Sequence, residues 1–218
     1  MSTTVAPTTD RLSGWSLILA PFLALLAAIV ISASETAPSK IDVFTSPAWV
    51  TGFNLLAVAV VLVGLGLARA VSSMGLGGAW LANTSLVMVP LGLLITLVSG
   101  FAVSGIIAEG GPQITDPEML HAALSVFEAM ANGLFLLVGI LLGVVMVGVA
   151  RNALRDPGLL SRRVAVWGLV LGLVALGTNL VLYLISNNQP GVWDLGPYAT
   201  QIAMFWTVAV GRRILKGG

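Results

Sequence analysis

The stretch HAALSVFEAMANGLFLLVGILLGVVMVGVARNALRDPG, His121 to Gly158, decides how this chain is read. It begins with scattered polar groups, continues as an apolar run, and ends on Arg151, Arg155 and an Asp-Pro-Gly turn. An α-helix needs about 20 apolar residues to cross the hydrocarbon core of a bilayer, and this run meets that length. It lacks the alternation of a barrel strand, so helix is the better reading. Comparable runs recur along the chain at 15–33, 47–69, 82–107, 163–186 and 195–211, with this one at 119–150. Turn-forming or charged segments separate them: SETAPSK, SSMGLGG, EGGPQITDP, RNALRDPG and SNNQPG. The expected fold is all-α, a polytopic membrane bundle of six transmembrane helices.

Composition agrees. Of 218 residues, 57% are hydrophobic and 9% are charged. A soluble domain carries about 25% charged residues to face water, so lipid is the expected surroundings for most of this surface. A net charge of +1 gives no footprint for nucleic acid. Cysteine is absent, which removes disulfides, thiolate metal sites and cysteine nucleophiles. The Ala, Gly, Val and Leu bias fits a bacterial protein of the inner membrane.

Basic residues set the expected orientation. With the N-terminus cytoplasmic, the inner segments hold Arg11, Arg69, Arg151, Arg155, Arg162, Arg163, Arg212, Arg213 and Lys216, against Lys40 alone outside. That asymmetry follows the positive-inside rule and makes both termini cytoplasmic. Residues 1–13 are expected as a mobile tail, 14–212 as a single bundle and 213–218 as a basic tail. The first run has about 19 apolar residues, too many for a cleaved signal segment of 7–15, and is read as a retained helix. Trp15, Trp49, Trp80, Trp167 and Trp193 fall near span ends, as an interfacial aromatic belt requires. Gly139, Gly143 and Gly148 in the fourth span, with Gly168, Gly172 and Gly177 in the fifth, predict close packing of that pair. Pro21 and Pro90 lie inside spans, where each kinks a helix or frees a carbonyl.

At 100° per residue, His121, Ser125, Glu128 and Asn132 return to nearly one face of the fourth helix. Asn54, Ser99, Asn179, Tyr183, Tyr198 and Gln201 fall in the outer halves of neighbouring spans. Polar groups facing lipid cost free energy, so these ten residues are expected to meet in an outward-facing cavity centred on Glu128. A carboxyl within a span suits proton exchange or cation binding; the competing reading is an interfacial residue that stabilises the bundle. His121 lies ~10 Å along the helix from Glu128, beyond direct hydrogen bonding. No metal-ligand spacing accompanies it, and no cofactor is expected.

These residues admit several functions. The first is binding or transport of a small molecule or ion. The second is an accessory or structural subunit, as a homo-oligomer or within a larger membrane complex. The third is an intramembrane enzyme or haem-binding subunit. FAVSG around Ser104 has Ala102 where a rhomboid-type serine protease needs glycine, and one histidine excludes bis-histidine haem within one chain.

FEAMANGLFLLVGILLGVVMVGVARNALRDPGLLSRRVAVWGLVLGL and the closing FWTVAVGRRILK resemble a family of six-helix bacterial integral membrane proteins grouped as a domain of unknown function. The resemblance covers about residues 119–218 and rests on the Arg-rich fourth loop and the basic end of the last helix. It implies a multi-pass membrane protein and transfers no catalytic residue.

Overall fold

The computed structural model describes residues 8–34, 42–43, 46–98, 117–156, 158–185 and 195–216. Six long α-helices follow in order: α1 Thr8–Ser34, α2 Pro47–Ser73, α3 Ala79–Thr96, α4 Pro117–Arg155, α5 Arg162–Ile185 and α6 Leu195–Leu215. The all-helical reading holds. Helix α1 starts before its apolar run, because Asp10 sits in the first turn, where a helix dipole favours an acid. Asp10 Oδ1 also accepts the Arg69 Nε–H at 3.0 Å, tying α1 to the end of α2. Part of the expected tail is therefore helix. Helix α2 starts where Ser46 Oγ accepts the Trp49 N–H at 3.1 Å and Pro47 needs no hydrogen bond of its own.

The helices form a closed ring. Each packs on its sequence neighbours, and α6 returns to α1 while also touching α2 and α4. Glycine contacts show that neighbours run antiparallel: Gly14 in early α1 meets Gly211 in late α6, and Gly52 in early α2 meets Ile31 in late α1. One end of the bundle thus gathers the start of α1, the ends of α2, α4 and α6, and the starts of α3 and α5. Arg11, Arg69, Arg151, Arg155, Arg162, Arg163, Arg212, Arg213 and Lys216 all belong to that end. Two side chains fix its loops. Asn152 donates to the Leu76 carbonyl at 2.8 Å, and Arg213 donates to the carbonyls of Gly158 and Leu159 at 2.9 and 3.3 Å.

The middle of the ring is filled by Leu17, Val60, Val63, Leu81, Met88, Leu142, Met146 and Met204, each fully buried. The outside is apolar as well. Leu19, Phe22, Leu25 and Ile29 on α1, with Leu173, Val174, Val181 and Leu184 on α5, are exposed along the outer faces of these helices, where a soluble bundle would place charges. Helices α1 to α5 are long and apolar enough to cross a membrane. Helix α6 is not among these five; it carries Tyr198, Thr200 and Gln201 near its start and Arg212 and Arg213 at its end. The chain has the build of a multi-pass membrane protein.

Pro21 has no N–H, so the Leu17 carbonyl one turn earlier loses its helical partner. The Thr207 hydroxyl of α6 lies 2.8 Å from that oxygen and replaces the missing donor. Thr207 is fully buried, so this bond is made out of reach of water. Between α4 and α5 the approach is of backbone on backbone. A Cβ at Gly143 would lie 2.7 Å from the Gly172 carbonyl oxygen, and one at Gly172 would lie 3.1 Å from that of Gly143. The other glycines of the two expected stripes serve different partners. Gly139 faces Asn179 and Thr200, Gly148 faces Leu81 of α3, Gly168 faces Trp206 of α6, and Gly177 faces open space. One pair makes the crossing, because two helices crossing at an angle touch closely over only about a turn.

Candidate functional site

At the end away from the basic residues, α1, α2, α4 and α6 separate around a cavity of about 260 Å³. The late turns of α1 contribute Ala24, Ala28, Ile31 and Ser32, and the early turns of α2 contribute Trp49, Phe53 and Leu56. Ala131, Asn132 and Phe135 of α4 face Pro197, Tyr198 and Gln201 of α6. The alanines of α1 and Ala131 leave the room that the larger rings line.

Three walls are aromatic. Trp49 and Phe53 are one turn apart on α2, with ring centroids at 4.5 Å and planes tilted by 47°. Both are buried, as is Phe135. Polar groups come from Asn132, Gln201, Tyr198 and Ser32; the Ser32 hydroxyl donates to its own helix at Ile29 O, 2.9 Å away. Gln201 Nε2 is buried and has no hydrogen-bond partner among the described residues. Leaving a buried donor unmade costs about 1–3 kcal/mol, so a side-chain turn that brings this amide to an acceptor is favoured. Among the described residues the lining carries no charged side chain, and no three of His, Asp and Glu converge anywhere. The described chemistry is stacking and amide hydrogen bonding.

No protein-family model, curated protein or solved structure matches this chain.

The structure brings together three of the ten residues expected to meet: Asn132, Tyr198 and Gln201 line the cavity. Asn54 is half-buried on α2 and Ser125 half-buried on α4; neither is in the lining. Tyr183 is 51% exposed on the outside of α5. Asn179 is fully buried in a separate seam between α4, α5 and α6. There its Nδ2 donates to Ala175 O at 2.7 Å and to Thr200 Oγ1 at 3.0 Å, and Thr200 donates onward to Gly196 O at 2.9 Å. This node needs Gly139 and Gly196, since a Cβ at either would overlap the Asn179 amide. Glu128 and His121 lie on α4, with side chains outside the described residues, as is all of Ser99.

Sequence reasoning missed the aromatic half of the cavity and the whole contribution of α1. It followed polar residues, and α1 offers alanines. Trp49 was assigned to the interfacial belt, yet it is 7% exposed, while Trp15, Trp80 and Trp167 at the basic end are all more than half exposed. A usable signal was present: Trp49 and Phe53 are spaced by four residues, so both occupy one helix face.

Proposed function

We propose that the chain is a bacterial inner-membrane protein with six transmembrane helices and both termini cytoplasmic, and that it binds or carries a small molecule in the cavity between α1, α2, α4 and α6. The nine basic residues at one end support the orientation, because cytoplasmic ends are enriched in Lys and Arg. With α6 counted as a span, its 21 residues are ~31 Å long, which matches the hydrocarbon thickness. The cavity then opens toward the outer face.

The observation that supports the reading is the wall of the cavity itself, where the rings of Trp49, Phe53 and Phe135 stand with the amide side chains of Asn132 and Gln201. Such a setting favours a small, flat, largely apolar molecule with one hydrogen-bond acceptor. At about 260 Å³ the cavity falls just below the usual range of ligand pockets, which run from ~300 Å³ upward, so the ligand is compact. Glu128 lies one turn before Asn132 on α4 and is proposed to tune entry of protons or cations.

Native mass spectrometry of gently extracted protein tests this, with wild type compared with Gln201→Leu and Glu128→Gln. A non-lipid small molecule held by the wild type and lost from Gln201→Leu is the expected result. Its retention in Gln201→Leu would overturn the assignment of the cavity. A protein subunit that co-purifies with all three chains, with no small molecule, would replace this reading with that of an accessory subunit.

A further inference from the structure

A second opening lies at the basic end, on the outer surface of the bundle where α6 meets α5 and the α4–α5 loop. It is an open groove of about 710 Å³, large enough for a headgroup and part of a chain rather than a bare ion. Its length follows one face of α6. Phe205, Val208 and Ala209 form the apolar floor, and Arg212, Arg213 and Lys216 follow at its end. From Phe205 to Arg212 is ~10 Å along the helix and to Lys216 ~16 Å, so the surface changes from ring and methyl groups to cations within that length.

The charged side chains that line it are of one sign, and one carboxylate stands beside them, that of Asp156, whose Oδ1 accepts the Gly158 N–H at 3.0 Å. None of Arg212, Arg213 and Lys216 has a carboxylate partner among the described residues. Arg213 is held in place by the carbonyls of Gly158 and Leu159, which occupy two of its five N–H donors and leave the others free. Ser161 lines the same groove; its oxygen accepts the Val164 N–H at 3.4 Å, so the hydroxyl hydrogen remains to donate. Arg162 and Arg163 start α5 immediately beside it.

We infer that this groove is a binding site for an anionic phospholipid, with an acyl chain against Phe205, Val208 and Ala209 and the phosphate between Arg212, Arg213 and Lys216. The inference rests on the membrane reading above, with the basic end at the cytoplasmic leaflet, where anionic lipids attract cations that lie against the surface. A soluble phosphate would use the cations and leave the apolar floor bare. A zwitterionic lipid would use the floor and bring its own cation to the three already present. Only an anionic lipid satisfies both halves.

The test is titration of the purified full chain in detergent with dioleoylphosphatidylglycerol or dioleoylphosphatidylcholine, counting bound lipid by native mass spectrometry. Wild type is expected to bind the phosphatidylglycerol more tightly. Arg212→Gln/Lys216→Gln changes two exposed side chains and is expected to weaken that binding on the order of 25-fold, about fivefold per cation, leaving phosphatidylcholine binding unchanged. Arg11→Gln/Arg151→Gln, at the same end but outside the groove, is expected to change neither. Equal binding of the two lipids by wild type would overturn the site while leaving the membrane reading intact; binding of neither would overturn both. An equal loss in both double variants would reduce the effect to diffuse surface charge. Displacement of the lipid by glycerol 3-phosphate at equal concentration would assign the site to a soluble phosphate instead.

Discussion

Thr207→Val is the perturbation that examines the bundle most directly, because the shape of the side chain is kept and only the hydroxyl is lost. The hydroxyl lies 2.8 Å from the carbonyl of Leu17, whose helical partner is missing because residue 21 is proline. Hydrogen bonds between membrane helices are worth about 0.6 kcal/mol on average and up to ~1.7. A buried carbonyl left with no donor costs about 1–3 kcal/mol. Thr207 is fully buried and Pro21 removes the usual i+4 donor to that oxygen, so a loss near 1.5 kcal/mol is expected, at the upper end of the membrane range. Pro21→Ala restores an N–H one turn after Leu17. In that background the carbonyl is already satisfied, and Thr207→Val is expected to cost only about 0.5 kcal/mol. The single hydroxyl proton is shared between Leu17 O and Met204 O, 2.7 Å away in its own helix; in the Pro21→Ala background it is free for Met204, and that contact is the small cost that remains. The four proteins are compared by reversible unfolding in mixed micelles of rising dodecyl sulfate fraction, followed by helicity. If Thr207→Val costs the same in both backgrounds, within about 0.3 kcal/mol, the two features are independent and the reasoning fails.

Three further outcomes are expected from the same assay and its relatives. Gly143→Ala places a methyl group 2.7 Å from the backbone of α5 and should destabilise by about 2–3 kcal/mol, since backbone cannot rotate aside as a side chain can. Gly177→Ala, the identical change in the facing helix, meets nothing within 4 Å and should be neutral or stabilising by about 0.5–1 kcal/mol. Asn152→Ala should cost about 1 kcal/mol and speed hydrogen exchange of residues 74–79, because the Leu76 carbonyl loses the side chain that holds that loop.

What could be read from the sequence depended on whether one residue carried the signal. Helices α1 to α5 were legible because each is a long apolar run between turn-forming segments, and burial in lipid requires nothing subtler. Pro21 was legible as a freed carbonyl, but its partner was not: nothing in the sequence around Thr207 points to Leu17, and only the closure of α6 on α1 brings the two together. The Gly143–Gly172 crossing lay within the two expected stripes, while the other four glycines could not be assigned, because spacing does not say which of several neighbours a face meets. The cavity was legible for Asn132, Tyr198 and Gln201 as polar groups near the same end. Trp49, Phe53 and Phe135 were hidden because an aromatic residue in a membrane helix reads the same whether it faces lipid or the interior of the bundle. Asn179 and Tyr183 share a row on α5, yet one is buried against Thr200 and the other exposed; a few tens of degrees of helix rotation decide that, and rotation is set by packing.

The bond from Thr207 to Leu17 joins residues 190 positions apart, so the first helix is made long before the side chain that completes it. A chain made at about 5–20 residues per second leaves the Leu17 carbonyl without its partner for roughly 10 to 40 seconds after α1 is synthesised. During that interval α1 carries an open carbonyl near its basic end, within reach of water or a provisional neighbour. Arrival of α6 supplies the Thr207 hydroxyl and closes the gap. A chain stopped before Thr207 would keep that carbonyl without this partner.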